Sequence, residues 1–338
     1  DGESYDPVAL LTLFVRRSMA LMNFIAPVEK VDAIMFTVEE PDDRMVEILS
    51  QVSANMGLRT SHIYFQSHTE SFYAFVLHQP AELWYHQVIA CEHDGLRLKI
   101  YRMECNKRTT PVVVLIEEQM YETLVIPGED EEETLRQDAY QLADERFLGI
   151  LQSMCEGRMV SSVYLLGDGF RAGWQERSLK FLCHNRRVFQ GNNLFSRGAC
   201  YGLLEKLEPS EEGKSHVFLG KDMLKANIGM HVMRQGKESY YALLDAGGNW
   251  YEQYKECDFL LTKEKQLQFV VTPLNGRNAE TKVIPLTDGG TDGAPFTRYH
   301  MEMKLAAPDK VLVKVTDLGF GEFFAPGGRV WEESFQIG

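Results

Sequence analysis

Residues 163–170 read Val-Tyr-Leu-Leu-Gly-Asp-Gly-Phe, a short apolar run followed by two glycines with an aspartate between them. The run Ser162–Leu166 predicts a buried β-strand, and apolar residues at helical spacing follow over Trp174–His184. Glycines between a strand and a helix permit positive φ, and backbone N–H groups at the start of a helix can face an anion. The stretch therefore predicts a strand, a turn and a helix in succession, which is typical of an α/β domain.

Helix and strand patterns alternate on both sides of this stretch, over residues 1–207. This alternation predicts a mixed sheet with helices on both of its faces. The predicted helices are Pro7–Asn23, Pro41–Met56, Thr69–Gln79, Asp130–Cys155, Trp174–His184 and Leu194–Lys206, and the predicted strands are Ala33–Val38, Ile63–Gln66, Tyr85–Cys91, Leu96–Met103, Pro111–Glu117 and Ser162–Leu166.

The pattern changes after residue 207. Residues 208–215 are polar and contain Pro209 and Gly213, so they are predicted to form a linker. Beyond them the hydrophobic period becomes 2, most clearly in Tyr299–Leu305 and Val311–Val315, which flank a turn. A second pair of short strands is predicted on either side of Asn275-Gly276. Residues 216–338 are therefore predicted to form an all-β sandwich.

The composition restricts the class of protein. Hydrophobic residues make up 44% of the chain, which is enough for a sizeable core. The net charge of −14 lacks the excess of cations that binding to a phosphate backbone requires, so we expect no nucleic-acid partner. No apolar stretch approaches the roughly 20 residues that span a bilayer, so no membrane partner is expected. Six scattered cysteines and no visible signal peptide indicate reduced thiols in the cytoplasm.

Four short stretches carry a resemblance to a known family. Ala33–Val38 and Glu70–Phe75, with the helix and strand between them, are similar to the strand, helix, strand and E-P-T-A-A-A segment of Hsp70 chaperones. Val88–Met103 is placed like the strand pair of their second phosphate loop. Residues 163–170 resemble their V-L-V-G-G-S adenosine loop, and Arg197–Gly202 resembles their A-V-A-Y-G-A helix. The chain thus resembles the Hsp70 and actin-like ATPase superfamily.

This resemblance implies a fold and a set of nucleotide contacts. Residues 1–207 would form an α/β ribonuclease-H-like (actin-like ATPase) lobe, and residues 216–338 a sandwich like the substrate-binding β domain of the chaperones. The implied nucleotide contacts are Glu70, Gly95, Gly167 and Gly169.

The sequence also departs from the family. Where the second phosphate loop should read D-x-G-G-G-T, this chain reads Cys-Glu-His-Asp-Gly-Leu-Arg-Leu over residues 91–98, so only Gly95 remains and Leu96 replaces the hydroxyl. The family's first phosphate loop lies outside this chain, which begins at Asp1, and we expect an upstream part. The subdomain that completes the adenine pocket is missing between Glu118 and Asp130. We therefore expect no cofactor in this chain; ATP and Mg²⁺ would require the upstream lobe.

The candidate residues also have interpretations without a ligand. The glycines of Gly167–Gly173 can form a tight turn, in which Asp168 disfavours phosphate although it could accept a ribose hydroxyl. Glu70 can be an early helix carboxylate favoured by the helix dipole. Residues 91–94 alternate between the two faces of a strand and cannot converge on one ion, so no metal site is predicted. No catalytic residue is assigned, and Arg186-Arg187 is expected to form surface ion pairs.

The predicted sandwich contains a candidate peptide site. The loop Gly247–Tyr251 places Trp250 and Tyr251 beside two glycines, and a second loop covers Leu274–Asn278. Aromatic side chains of this kind anchor protein partners, and extended peptides bind such domains through main-chain hydrogen bonds and an apolar pocket. The alternative is that these aromatic rings pack onto the core of the sandwich.

Two functions stay open. The first is a non-enzymatic, chaperone-like protein whose β domain binds polypeptide and whose lobe is a scaffold. The second is an ATPase whose site is completed by an upstream lobe. We favour the first, because the phosphate loop is degenerate while the β domain is nearly complete.

Overall fold

A computed structural model describes residues 6–25, 27, 31–57, 60, 62–122, 124–127, 133–261, 266–274, 277–286, 297–321 and 325–337 of the chain. It consists of two compact units, Asp1–Phe218 and Leu219–Gly338. No helix in the described ranges is long and apolar enough to cross a membrane.

Seven α-helices are found in the described part of the first unit. Local signals account for several of their ends. The Asp42 side chain accepts a hydrogen bond from the backbone N–H of Met45 (2.7 Å) at the start of the second helix, and Gly57, with φ of 65°, ends it. The helices are α1 (Pro7–Ala20), α2 (Asp43–Met56), α3 (His68–Leu77), α4 (Glu133–Cys155), α5 (Glu176–Leu182), α6 (Leu194–Leu207) and α7 (Glu211–Ser215).

A six-stranded mixed sheet organises this unit. Three consecutive strands form an antiparallel meander, and the next two strands lie parallel to the first strand of that meander. A separate parallel pair, β1 (Ile34–Val38) and β2 (Ile63–Ser67), precedes the sheet. The strands of the sheet are β3 (Gln87–His93), β4 (Leu98–Asn106), β5 (Val112–Tyr121), β6 (Val160–Leu166), β7 (Arg187–Gln190) and β8 (His216–Phe218), in the order β7-β6-β3-β4-β5-β8.

Helices cover both faces of the six-stranded sheet. On one face, Phe147 and Leu151 of α4 are fully buried in a core shared with β3, β4 and β6. On the other face, Phe72 of α3 packs against Tyr101 of β4, with ring centroids 6.2 Å apart. Alternation of side chains along each strand supplies apolar residues to both layers. The predicted mixed α/β architecture is confirmed at this level.

Asp144 joins two helices of the first layer. This buried carboxylate of α4 accepts hydrogen bonds from the backbone N–H groups of Arg177 (2.7 Å) and Ser178 (2.9 Å), at the start of α5. The Ser178 hydroxyl donates to the same carboxylate at 2.5 Å. Asp144 therefore acts as an N-cap supplied by a different helix.

The second unit is rich in antiparallel β-structure. Its two four-stranded sheets, in the orders β10-β9-β12-β13 and β11-β14-β15-β16, contribute to one hydrophobic core. In the stretch predicted from its period of 2, Met301, Met303 and Leu305 point into that core. The strands are β9 (Ala226–Arg234), β10 (Lys237–Leu244), β11 (Tyr254–Leu261), β12 (Gln266–Pro273), β13 (Glu280–Pro285), β14 (Thr297–Ala307), β15 (Lys310–Gly319) and β16 (Val330–Gln336).

The structure differs from the predicted linker at residues 208–215. The helix α7 occupies Glu211–Ser215, with the Ser210 hydroxyl accepting a hydrogen bond from the backbone of Gly213. Residues 216–218, which were assigned to the sandwich, instead form β8 and pair in parallel with Val112–Val114. Such pairing joins distant parts of the chain, and three residues are too few to show which sheet they will join.

Candidate functional site

A cavity of about 330 Å³ lies where β3 and β6 end. Because β3 and β6 are parallel, their carboxyl ends meet at one edge of the sheet, which is where open α/β sheets bind ligands. The cavity brings together the predicted phosphate hairpin after β3 and the predicted glycine loop after β6. Its lining consists of Glu92, His93, Asp94, Leu166, Gly167, Asp168, Asn192, Leu194 and Phe195.

The hairpin between β3 and β4 uses its own carboxylate to bind its backbone. One oxygen of Asp94 accepts hydrogen bonds from the N–H groups of Leu96 (2.8 Å) and Arg97 (2.7 Å). The other oxygen pairs with the Arg97 guanidinium at 3.1 Å. These bonds, above all the one from the Arg97 backbone, hold the pKa of Asp94 below its usual value. Two backbone amides of the hairpin are therefore occupied by an internal anion.

His93 closes the space beneath the hairpin. Its ring is fully buried, with Nε2 at 2.7 Å from the carbonyl oxygen of Leu124 and Nδ1 at 3.1 Å from the backbone nitrogen of Gly95. Since a carbonyl only accepts and an N–H only donates, the proton is on Nε2 and the ring is neutral. Burial lowers the pKa of His93, which is consistent with this neutral form.

The glycines of the predicted adenosine loop are required by contact with His93. A Cβ atom on Gly167 would lie 2.2 Å from the carbonyl oxygen of His93, and one on Gly169 would lie 1.7 Å from its Nδ1. Gly167 also has a φ of 92°, which side chains rarely adopt. Close packing against the end of β3 therefore accounts for both glycines without a bound ligand.

Polar groups of the glycine loop also bind within the chain. The N–H of Gly167 donates to Oδ1 of Asn192 at 3.0 Å, and the amide nitrogen of Asn192 donates to Asp168 at 3.0 Å. Asp168 also pairs with Arg171 at 3.0 Å. One backbone donor and one carboxylate of the loop are therefore occupied by hydrogen bonds and an ion pair within the chain.

Carboxylates determine the electrostatics of the cavity. Glu92, Asp94 and Asp168 all line it, and burial raises the pKa of Glu92 although the Tyr101 hydroxyl donates to it at 2.8 Å. Arg97 and Arg171 pair with Asp94 and Asp168, so these two carboxylates are balanced by cations of their own loops. No group of three or more side chains that could hold a metal ion is present in the part of the chain that the structure describes.

A buried ion network lies beside Glu92. The ammonium group of Lys99 contacts Glu39 at 2.8 Å and Glu118 at 2.9 Å. Burial lowers the pKa of Lys99, but its hydrogen bonds to these two carboxylates outweigh that effect and leave the pKa above its usual value. Next to this network, the His68 ring stacks on Phe195, a wall of the cavity, at 4.1 Å between centroids. The Lys99 ammonium group is therefore paired with these two carboxylates and is not among the groups that line the cavity.

The structure brings three of the four predicted nucleotide contacts together. Gly95, Gly167 and Gly169 all surround His93. Glu70 is not among the residues that line the cavity; it lies in the first turn of α3, where its backbone N–H donates to the Ser67 hydroxyl at 3.2 Å. Sequence reasoning missed the central position of His93, for which the only signal was its place between a buried strand and Gly95.

The predicted peptide loop of the second unit is held tightly to a neighbouring segment. The backbone N–H of Trp250 donates to the carbonyl of Asp222 at 3.0 Å, and that of Gly247 donates to the carbonyl of Leu224 at 2.8 Å. The Trp250 ring is partly buried against the core and meets Tyr251 edge-on at 5.4 Å. In the second predicted loop, Asn275-Gly276 lies outside the described residues.

These features define a mixed α/β unit in which the turns after β3 and β6 bind the chain's own side chains, followed by an antiparallel β-rich unit. Residues 1–221 match the profile described as "Family of unknown function (DUF5716) C-terminal", and residues 223–337 match "Domain of unknown function (DUF8552)". The chain therefore belongs to the DUF5716 C-terminal family.

Other comparisons add little. No curated protein matches the sequence. Among solved structures, the chain is similar to one titled "Alp12 filament structure", at 12% identity and a TM-score of 0.30, over 44% of this chain and 54% of that chain. The chain thus spans about half the length of that relative, and a likeness at this level carries no argument.

Proposed function

We propose that this chain belongs to a cytoplasmic, non-enzymatic Hsp70-like interaction protein, in which the β-rich unit binds polypeptide and the α/β lobe is a scaffold. The strand order supports the fold part of the proposal. A meander of β3, β4 and β5, followed by β6 and β7 parallel to β3, is the arrangement expected of a ribonuclease-H-like lobe.

One observation carries the non-enzymatic part: the carboxylate of Asp94 binds the hairpin amides that would face a phosphate. A nucleotide would have to displace this carboxylate and then bear repulsion from Glu92 and Asp168. Hydrogen bonds to a charged group contribute about 1.5–3 kcal/mol each. Two such bonds that a phosphate cannot form correspond to a loss of several orders of magnitude in affinity.

A thermal-unfolding titration with ATP and Mg²⁺ tests this part. A ligand that binds only the folded state at 100 times its Kd stabilises it by about 2.7 kcal/mol. We expect no change in Tm at millimolar ATP, either for the wild type or for Asp168→Glu, which keeps the charge of the cavity. Micromolar binding by the wild type, measured by calorimetry, would show that the hairpin opens for phosphate.

That result would favour the second candidate, an ATP-binding or ATP-hydrolysing chaperone whose site is completed by an upstream lobe. The observation in its favour is the cavity itself, because Gly167 lines it and Gly95 and Gly169 contact His93, another of its lining residues. ATP and Mg²⁺ would be the cofactors in that case.

The polypeptide-binding part is tested at Trp250 and Tyr251. Capture of a chemically unfolded, labelled protein is compared between the wild type, Trp250→Ala and Tyr251→Ala. We expect both variants to lose capture while the unfolding transition of Tyr251→Ala stays near that of the wild type. Removal of a ring that only packs on the core would instead lower the stability of Trp250→Ala by about 3–5 kcal/mol. Retained capture by Tyr251→Ala, with unfolding of Trp250→Ala, would assign both rings to the core.

A further inference from the structure

A second cavity, of about 260 Å³, lies at the end of β7, where α3 and α6 pack on the sheet. Three aromatic rings and several polar side chains line it. Tyr164 and Phe189 stack with centroids 5.1 Å apart, and Phe75 meets Tyr164 edge-on at 5.4 Å. Phe75 and Tyr164 are buried, whereas Phe189 is 40% exposed. The cavity thus combines buried aromatic rings with polar side chains, and its Phe189 wall is accessible.

The accessible wall belongs to an edge strand. β7 pairs with β6 from Ser162↔Arg187 to Leu165↔Gln190, and it pairs with no other strand in the described ranges. An edge strand of this kind presents unpaired backbone groups to which an extended peptide can add. Arg187 and Phe189 are two residues apart on β7, so their side chains share a face of the sheet.

Two arginines lie near this site: Arg197 lines the cavity, and Arg187 shares a face of β7 with Phe189. The Arg197 guanidinium of α6 lines the cavity and lies 5.3 Å from the centre of the Phe75 ring. The sequence predicted surface ion pairs for Arg187, yet neither Arg187 nor Arg197 contacts a carboxylate within the described ranges. Other arginines of the lobe do, as in the pairs Arg97–Asp94 and Arg171–Asp168. In a chain of net charge −14, two arginines that pair with no carboxylate of the described residues favour an acidic partner at this site.

We propose that β7 and this cavity bind an extended, acidic peptide segment of a partner protein. The segment adds a strand to the free edge of β7 and inserts one aromatic side chain beside Phe189. Side chains two residues away on either side then share that face, about 6.6–6.8 Å from the aromatic residue along the strand. Carboxylates at those two positions pair with Arg187 and Arg197, which gives the pattern acidic–x–aromatic–x–acidic.

The size of the cavity favours a single side chain over a free small molecule. Its volume of about 260 Å³ is below the roughly 300–1,000 Å³ of pockets that hold drug-sized ligands. This site lies in the α/β lobe and is independent of Trp250, so it stands whether or not the β-rich unit binds polypeptide. A short edge strand with an arginine can also serve only to prevent aggregation, which the experiment distinguishes.

Octapeptides that bind the whole chain are selected from a random phage library, and the affinity of the selected peptides is measured by fluorescence polarisation. We expect enrichment of an aromatic residue with Asp or Glu two positions away on both sides. Arg197→Glu is expected to weaken binding at least tenfold. Arg108→Glu, an equal charge change at an exposed turn between β4 and β5, is the matched control and should bind like the wild type.

Methylation of single backbone nitrogens in a selected peptide tests the strand geometry. Only alternate amides of an added strand face β7. Methylation should therefore abolish binding at every second residue of the peptide and be tolerated at the residues between them. Selection of peptides without the acidic–aromatic pattern, or equal binding by Arg197→Glu, overturns the proposal. If methylation is tolerated at every position, the proposal is also overturned, because the peptide then binds through its side chains alone and adds no strand to β7.

Discussion

Replacement of Gly169 by alanine tests whether the glycine loop packs against His93 or serves a ligand. The added methyl group would lie 1.7 Å from Nδ1 of the His93 ring, which cannot move away because its Nε2 is bound to Leu124. Overpacking of this kind costs about 1–3 kcal/mol. We therefore expect Gly169→Ala to lower the free energy of unfolding of the wild type by that amount.

The same replacement should cost almost nothing once the ring is gone. In a His93→Ala background, the methyl group enters the space that the imidazole filled, so the coupling energy of the double-mutant cycle should be about 1–3 kcal/mol. His93→Asn, with a shorter side chain, provides a second background if His93→Ala unfolds too readily. Urea unfolding can be followed by tryptophan fluorescence in variants that keep Trp174, whose ring lies 6.0 Å from that of His93, and replace the other three tryptophans by Phe.

Gly173→Ala is the matched control for this cycle. Gly173 has a φ of 69° and open space around its Cβ position, so alanine there should cost about 1–2 kcal/mol of backbone strain in every background. An equal cost of Gly169→Ala with and without the His93 ring would refute the packing explanation. Gly169 would then have to be explained by something other than the His93 ring.

Three further predictions concern the buried polar groups of the lobe, each measured by urea unfolding. Lys99→Met should cost about 1–3 kcal/mol, because it removes the ammonium group that pairs with the partly buried carboxylate of Glu118; a cost below 1 kcal/mol would mean that Glu118 is hydrated. Glu92→Gln should raise the free energy of unfolding at pH 7 and raise it much less at pH 4. The pKa of Glu92 is raised in the folded state, so ionisation of this carboxyl group lowers stability as the pH rises from the usual pKa of glutamate through the raised pKa. An equal effect at both pH values would contradict this. Asp144→Ala should cost about 1–3 kcal/mol for each donor left unsatisfied at the start of α5, and Asp144→Asn, which keeps one acceptor, should cost less.

Local patterns in the sequence were sufficient for most elements of the fold. Asp42 and Gly57 mark both ends of α2, because a cap residue and a left-handed glycine act within one turn of the helix. The alternation in Tyr299–Leu305 predicted a strand with one buried face, because successive side chains of a strand point to opposite sides. The change of period near residue 207 likewise predicted where antiparallel β-structure takes over.

Contacts between distant residues decided the rest. The sequence showed Gly167 and Gly169 in a suitable turn, but only the tertiary structure places the His93 ring where their side chains would have been. Likewise, Asp94 was visible as a residue of the hairpin, yet its role as an internal anion depends on the turn geometry that brings Leu96 and Arg97 to it. Hydrophobic period and helix caps depend on residues that are close in sequence. The contact between His93 and the glycine loop depends instead on the parallel pairing of β3 with β6, whose residues are distant in sequence.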